Sequence, residues 1–290
     1  MSEFRHRWSA RRQALRRSIE GDACLFPASV HDPLSARIAE DIGFEVGMYA
    51  GSQASLAVLG APDYILLTLT EFAEQAHRIA RASALPLMAD ADHGYGNALN
   101  VARTVEELET AGIAGLSIED TVLPETHGSA GHASLASLDE GLGRVRAALD
   151  ARTDPDLVIA ARTSAPSVTD IDDAITRMQA YEAAGADMLF LIGIKTRADL
   201  ERVAAATSAP LMLGGVPAEM RDAAYLGNQR VRICLYGHHT LAASVSAMEA
   251  AMQAIRDGTP PAELERIADT ETMDRLMRRA DYDAKRKRYL

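Results

Sequence analysis

Residues 85–120 read LPLMADADHGYGNALNVARTVEELETAGIAGLSIED, and the fold follows from the two textures they contain. Leu87-Met-Ala-Asp90 and Gly115-Leu-Ser-Ile-Glu119 are short apolar runs that end on acids. Between them Val101, Val105, Leu108 and Ala111 recur at helical spacing before Gly112. Near-continuous apolar strands are the habit of a parallel sheet covered on both faces by helices. The same beat continues outward in both directions. Further apolar runs lie at 24–29, 46–50, 157–162, 188–192, 211–214 and 231–235, which makes eight. Helices are predicted over residues 34–42 and from Thr70 through Phe72, Ala76, Ile79 and Ala80. Gly43, Gly112 and Gly185 stand where a helix hands over to a strand, a place where glycine tolerates the left-handed cap. Eight βα units in about 230 residues predict an α/β fold of the (β/α)8 TIM-barrel type, with an open doubly wound sheet as the alternative.

Two flanks lie outside the beat. Phe4, Trp8, Leu15 and Ile19 share one stripe, so an N-terminal amphipathic helix is expected to pack on the barrel with its six arginines forming a solvated face. From about Ala262 one or two further helices are expected, ending in the basic Lys285-Arg-Lys-Arg288, a solvated or oligomer-contacting tail. No low-complexity linker interrupts the chain. Residues 1–290 are therefore read as one domain, with a barrel core of about 22–257 and C-terminal helices of about 258–290.

Composition narrows the partners. Forty-one acidic against 30 basic side chains give a net charge of −11, which disfavours nucleic acid. No apolar run reaches the roughly 18–20 residues that span a bilayer. The N-terminal arginines precede no apolar segment of the secretory kind. Cys24 and Cys234 are too few for a disulfide framework or a thiolate zinc site. A soluble, cytoplasmic protein with no nucleic-acid or membrane partner is expected.

In a parallel barrel the active site gathers at the C-terminal ends of the strands. The polar residues closing the runs are Tyr49-Ala-Gly51-Ser52, Asp90-Ala-Asp92-His-Gly-Tyr-Gly-Asn97, Glu119-Asp120, Arg162-Thr163 and Tyr236-Gly-His238-His239. Asp90, Asp92 and Glu119 form a carboxylate cluster that would repel itself without a cation, and oxygen-only ligation favours Mg2+, with Mn2+ possible. Alone, any of these acids reads as a strand cap or an arginine partner. Arg162 suits a substrate carboxylate, or an internal salt bridge to Glu119 or Asp120, or both. Gly51 and Ser52 offer backbone N–H groups and a hydroxyl to a second carboxylate oxygen. Of His238 and His239, at most one is expected to face the cavity, as hydrogen-bond donor or proton carrier. The small-residue stretch 124–132 reads as a loop that closes over the site, with His127 and His132 as decoration.

The run Asp90-Ala-Asp-His-Gly-Tyr-Gly-Asn97, Ser-Ile-Glu-Asp120, Ala-Arg-Thr163 and Asp32-Pro-Leu-Ser-Ala-Arg37 together resemble the isocitrate lyase/phosphoenolpyruvate mutase superfamily, from about residue 25 to 257. The resemblance implies a Mg2+-dependent barrel acting on 2-oxo or 2-hydroxy carboxylates through enolate-like intermediates. It also implies a homo-oligomer, commonly a tetramer built as a dimer of dimers, with a C-terminal helix swapped between subunits. The loop 125–131 lacks the acid/base cysteine of the carbon–carbon lyases and the Lys-x-Asn-Ser pattern of the phosphonate-directed mutases. Gly51-Ser52, Asp90 to Asn97 and Gly237-His238 resemble the oxaloacetate decarboxylase branch most closely.

By that resemblance Asp90 is the direct metal ligand, Asp92 and Glu119 hold metal-bound waters, and Ser52, Arg162 and His238 contact substrate. The implied reaction is decarboxylation of oxaloacetate to pyruvate and CO2 through a metal-stabilised enolate, with Arg162 and His238 in catalytic roles. Two alternatives stay open. One is another superfamily activity, such as a methylisocitrate-type lyase or a phosphonopyruvate hydrolase; the other is a non-catalytic carboxylate-binding barrel. Where the branch can place a tyrosine after the seventh strand, this chain has Gly214-Gly215-Val216-Pro217.

Overall fold

The computed structural model describes residues 2–125, 127–128 and 131–290, with backbone alone for residues 2–7. Eight strands follow one another in chain order: β1 (Ala28–Ser29), β2 (Gly47–Tyr49), β3 (Leu87–Asp90), β4 (Gly115–Glu119), β5 (Val158–Thr163), β6 (Met188–Leu191), β7 (Leu211–Leu213) and β8 (Val231–Cys234). Each pairs in parallel with the next. The two edges meet through a bridge between Leu25 and Ile233. There the Leu25 N–H donates to the Arg232 carbonyl (2.8 Å) and the Cys234 N–H to the Leu25 carbonyl (2.9 Å). The sheet thus closes on itself as a barrel, and the doubly wound alternative falls. β1 is shorter than the run 24–29 that foretold it because Pro27 has no N–H to give the ladder.

Side chains alternate along each strand. The inward set, with Met48, Met88, Val158, Ala160, Met188, Phe190, Met212 and Ile233, packs as one cluster, while the outward set packs under the helices. The expected helices run from Pro33 to Ile42, Leu69 to Ala82 and Ala98 to Ala111. Gly43, Gly112 and Gly185 take the left-handed cap at φ 96°, 96° and 100°.

The N-terminal helix Ser2–Glu20 closes the floor. Its Leu15 and Ile19 join the inward cluster, and Leu15 lies against Gly115 at the start of β4. Phe4 of the expected stripe lies outside the described side chains. The solvated-face expectation holds for the exposed Arg17 and is corrected for Arg11, Arg12 and Arg16, while the side chains of Arg5 and Arg7 lie outside the described residues. Arg12 is only 4% exposed, donating to the Glu109 and Ile113 carbonyls and to Asp154 (2.8 Å). Arg16 reaches Asp187 (2.9 Å), and Arg11 donates to the Ala80 carbonyl. Carbonyls left over at helix C-termini and strand starts need donors, and these arginines supply them.

The chain separates into two compact units, residues 1–237 and 238–290. The second consists of the helices His239–Arg256, Thr270–Met277 and Arg279–Tyr289. Among the described residues, no helix is long and apolar enough to cross a membrane.

Candidate active site

The acids of β3 and β4 meet the arginine of β5 at the C-terminal mouth of the barrel. In the ladder Glu119 stands opposite Arg162, and Asp90 opposite Ser117. Period-two alternation turns Ser117, Glu119 and Arg162 inward together and sends Asp120 and Thr163 outward. Arg162 donates to Asp90 Oδ2. It also faces Glu119, Nε to Oε2 at 3.0 Å, without hydrogen-bonding geometry. Its guanidinium lies over the Phe190 ring at 5.4 Å. The internal pair that the sequence left open is therefore present, to Asp90 and Glu119 and not to Asp120.

Asp90 Oδ1 accepts from Ser117 Oγ at 3.0 Å and weakly from the Asp92 N–H at 3.4 Å. Asp92 begins a sharp turn in the left-handed region, φ 49°, where a non-glycine residue persists only if its surroundings hold it. The Glu119 N–H holds it, donating to the Asp92 carbonyl at 2.8 Å. Gly51 makes room for its carboxylate, since a Cβ at position 51 would sit 2.9 Å from Asp92 Oδ2. Ser52 follows within the short helical turn Gly51–Ala54, which widens into a π-turn over Ser55–Leu59. Gln53 in that turn accepts from Ser29 Oγ at the end of β1 (2.8 Å).

Three carboxylates against one guanidinium leave an excess of negative charge. Burial, with the charges of Asp90 and Glu119, drives Asp92 well above the usual carboxylate range, against the pull of Arg162. Glu119 is raised chiefly by burial, with Arg162 opposing and Asp90 adding. Burial alone would depress Arg162, but Asp90, Glu119 and Asp92 overcome it and raise its pKa. The donor set is oxygen only, and Glu119 Oε2 is buried without a hydrogen bond, so these residues fit a hard divalent cation. Among the described residues no three acids, histidines or cysteines are gathered tightly enough to ligate one ion together.

Sequence reasoning gave no role to two contributors, Ser117 and Asp63. Ser117 lies inside an apolar strand, where only the alternation marks it as inward. Asp63, from the stretch after the π-turn, adds to the upward push on Asp92 and Tyr95, and lines a small cavity with Gly51, Ser55, Asp92 and Tyr95. His93 is 3% exposed, and burial with the Arg144 charge lowers its pKa to about 4, so it stays neutral. His238 and His239 are not among the residues the first unit gathers. They open the second unit, His238 as the residue before the helix His239–Arg256 and His239 as its first. Of the loop 124–132, His127 and His132 are exposed, while Thr126, Ser129 and Ala130 lie outside the described residues.

Fold and site together define a parallel (β/α)8 barrel with an acid-lined mouth. The family model for phosphoenolpyruvate phosphomutase matches residues 15–256, and the chain belongs to that family, within the phosphoenolpyruvate mutase/isocitrate lyase superfamily. It is 56% identical over 271 residues to a protein of Rhodopseudomonas palustris (strain BisB5) named oxaloacetate decarboxylase, covering 93% of each chain. It is 56% identical over 276 residues to one of the same name from Bradyrhizobium diazoefficiens, covering 95% of this chain and 96% of that one. Among solved structures, a phosphonopyruvate hydrolase complex with oxalate and Mg2+ superposes with a TM-score of 0.86 at 30% identity, covering 96% and 99% of the two chains. Oxaloacetate acetylhydrolase bound to 3,3-difluorooxalacetate gives 0.85 at 27% identity, covering 96% and 97%.

Proposed function

We propose that this chain decarboxylates oxaloacetate, a small 2-oxo dicarboxylate, to pyruvate and CO2 with Mg2+, for which Mn2+ substitutes. It acts in the cytoplasm as a homotetramer, a dimer of dimers, with residues 1–290 working as one barrel domain. The observation that carries the reading is the convergence of Asp90, Asp92 and Glu119 on Arg162 at the barrel mouth. The names of the 55–56% identical relatives support it.

Asp90 is the residue to hold the metal directly, with Asp92 and Glu119 orienting its waters. The bound ion would supply the positive charge that stabilises the oxyanion formed as CO2 leaves. Arg162 binds and orients a substrate carboxylate through its planar fork while its charge is held by Asp90 and Glu119. Gly51 and Ser52 offer an N–H and a hydroxyl to the same end of the substrate, and His238 orients the 2-oxo group or the departing carboxylate. The C3–C4 bond breaks, its electron pair stays on the three-carbon fragment, and one proton taken up at C3 completes pyruvate.

Pyruvate release from oxaloacetate, methylisocitrate and phosphonopyruvate, assayed in parallel, tests this. Oxaloacetate is expected to be turned over fastest, and Asp90→Ala to abolish metal-dependent turnover. Faster release from either other substrate, or Mg2+-dependent oxalate binding without turnover of any, overturns the reading.

A further inference from the structure

Asp120 has no part in the chemistry above, yet it is 1% exposed and more fully bonded than any acid of the mouth. Both its carboxylate oxygens accept from Thr163 Oγ1 at 2.9 Å. Oδ2 also accepts from Arg177 (3.0 Å) and from the Tyr181 hydroxyl (2.8 Å). Its N–H donates to the Arg162 carbonyl (3.2 Å), and its own carbonyl accepts from the Ala136 N–H (2.7 Å). On either side of it Arg144 donates to the carbonyls of Glu119 (3.1 Å) and Thr121 (3.0 Å).

The placement matters because of the ladder. Glu119 and Arg162 are paired and point inward, and one residue further along each strand Asp120 and Thr163 point outward and bond to each other. The inward pair does not fix itself, since Arg162 Nε and Glu119 Oε2 meet at 3.0 Å without hydrogen-bond geometry. The outward pair is fixed from two strands and from the helix Ile171–Ala183 that carries Arg177 and Tyr181. We infer that Asp120 is a positioning residue: through Thr163 it locks the ends of β4 and β5 together on the outer face and so sets where Glu119 and Arg162 aim on the inner one. The inference rests on Glu119 and Arg162 belonging to the active site.

Thr163→Val removes the hydroxyl, keeps the branched shape and leaves Asp120 with Arg177 and Tyr181. Mn2+ binding to the full chain is measured by water-proton relaxation, with and without oxalate, beside thermal unfolding. Loss of such an outer contact is expected to weaken Mn2+ affinity about tenfold, and Thr163→Ser to restore it. Asp120→Asn, which keeps the volume, is expected to show the same loss and serves if the valine variant does not fold. Wild-type Mn2+ affinity in either folded variant, with only the melting temperature lowered, overturns the inference and leaves Asp120 a structural acid. If the unmutated chain binds Mn2+ and oxalate but does not decarboxylate oxaloacetate, the proposed activity fails while the comparison of affinities still decides this point. If it binds no Mn2+, both fall.

Discussion

Glycine at position 51 is demanded by a neighbour, not by its own backbone. Any Cβ there would lie 2.9 Å from Asp92 Oδ2, so Gly51→Ala is expected to displace the carboxylate by a few tenths of an ångström. The predicted result is metal affinity weakened about tenfold with little change in melting temperature; calorimetric titration with Mn2+ checks it. The acids themselves make a pH prediction. Asp92 and Glu119 have folded-state pKa values above their unfolded ones, so the folded state holds protons that the unfolded state has already lost. Their contribution to stability is then present below the ordinary carboxylate range and is lost as pH rises through the raised values. Metal-free protein is expected to melt at a lower temperature as pH climbs through that window. Added Mg2+ is expected to recover more stability at the upper end than at the lower, read by thermal scans with and without EDTA. Asp90, Asp92, Glu119 and Arg162 were legible in the sequence because each closes or directly follows an apolar run. Asp63 was not, because it comes from a stretch with no periodicity, brought to the site only by the turn at 51–59.

Among the elements, the strands were the most legible, since burial on both faces leaves an uninterrupted apolar signature. β3 and β4 run between the residues at which their apolar runs begin and end. The N-terminal helix was read less well. Its apolar stripe was visible, but the destination of its arginines was not, because carbonyl groups at a barrel floor carry no mark in the sequence. Arg12 satisfies two carbonyls and compensates Asp154 and Glu109, with side-chain exposures of 5%, 15% and 8% for the three residues. Arg12→Met would strip the guanidinium from both acids, which keep donors from Ser9, Thr153 and the backbone, and from the two buried carbonyls; the expected cost is about 3 kcal/mol. Denaturant unfolding should show that loss, and a change under 1 kcal/mol would mean that the floor does not depend on Arg12.

For the whole molecule, assembly is the open consequence. The helix His239–Arg256 carries Val245, Met248, Met252 and Ile255 at alternating spacings of three and four, a single stripe exposed by 43–67%. Single exposed apolar residues need no explanation, but a regular stripe on one helix is the kind of surface that marks an interaction site. If the chain is the homotetramer proposed above, a second copy would cover this stripe. Burying one methionine side chain is worth about 1.5–3 kcal/mol, and the stripe recurs in every subunit. Met248→Glu combined with Met252→Glu would place two charges per helix where the contact needs apolar surface. Light scattering behind size exclusion is expected to give four times the chain mass for the unmutated protein and a smaller species for the double variant, with a lower melting temperature. Because the substitutions lie outside the acid cluster, Mn2+ binding measured on the dissociated species shows whether each barrel mouth is complete by itself. A monomeric unmutated protein would leave the stripe unexplained and remove the tetramer from the account.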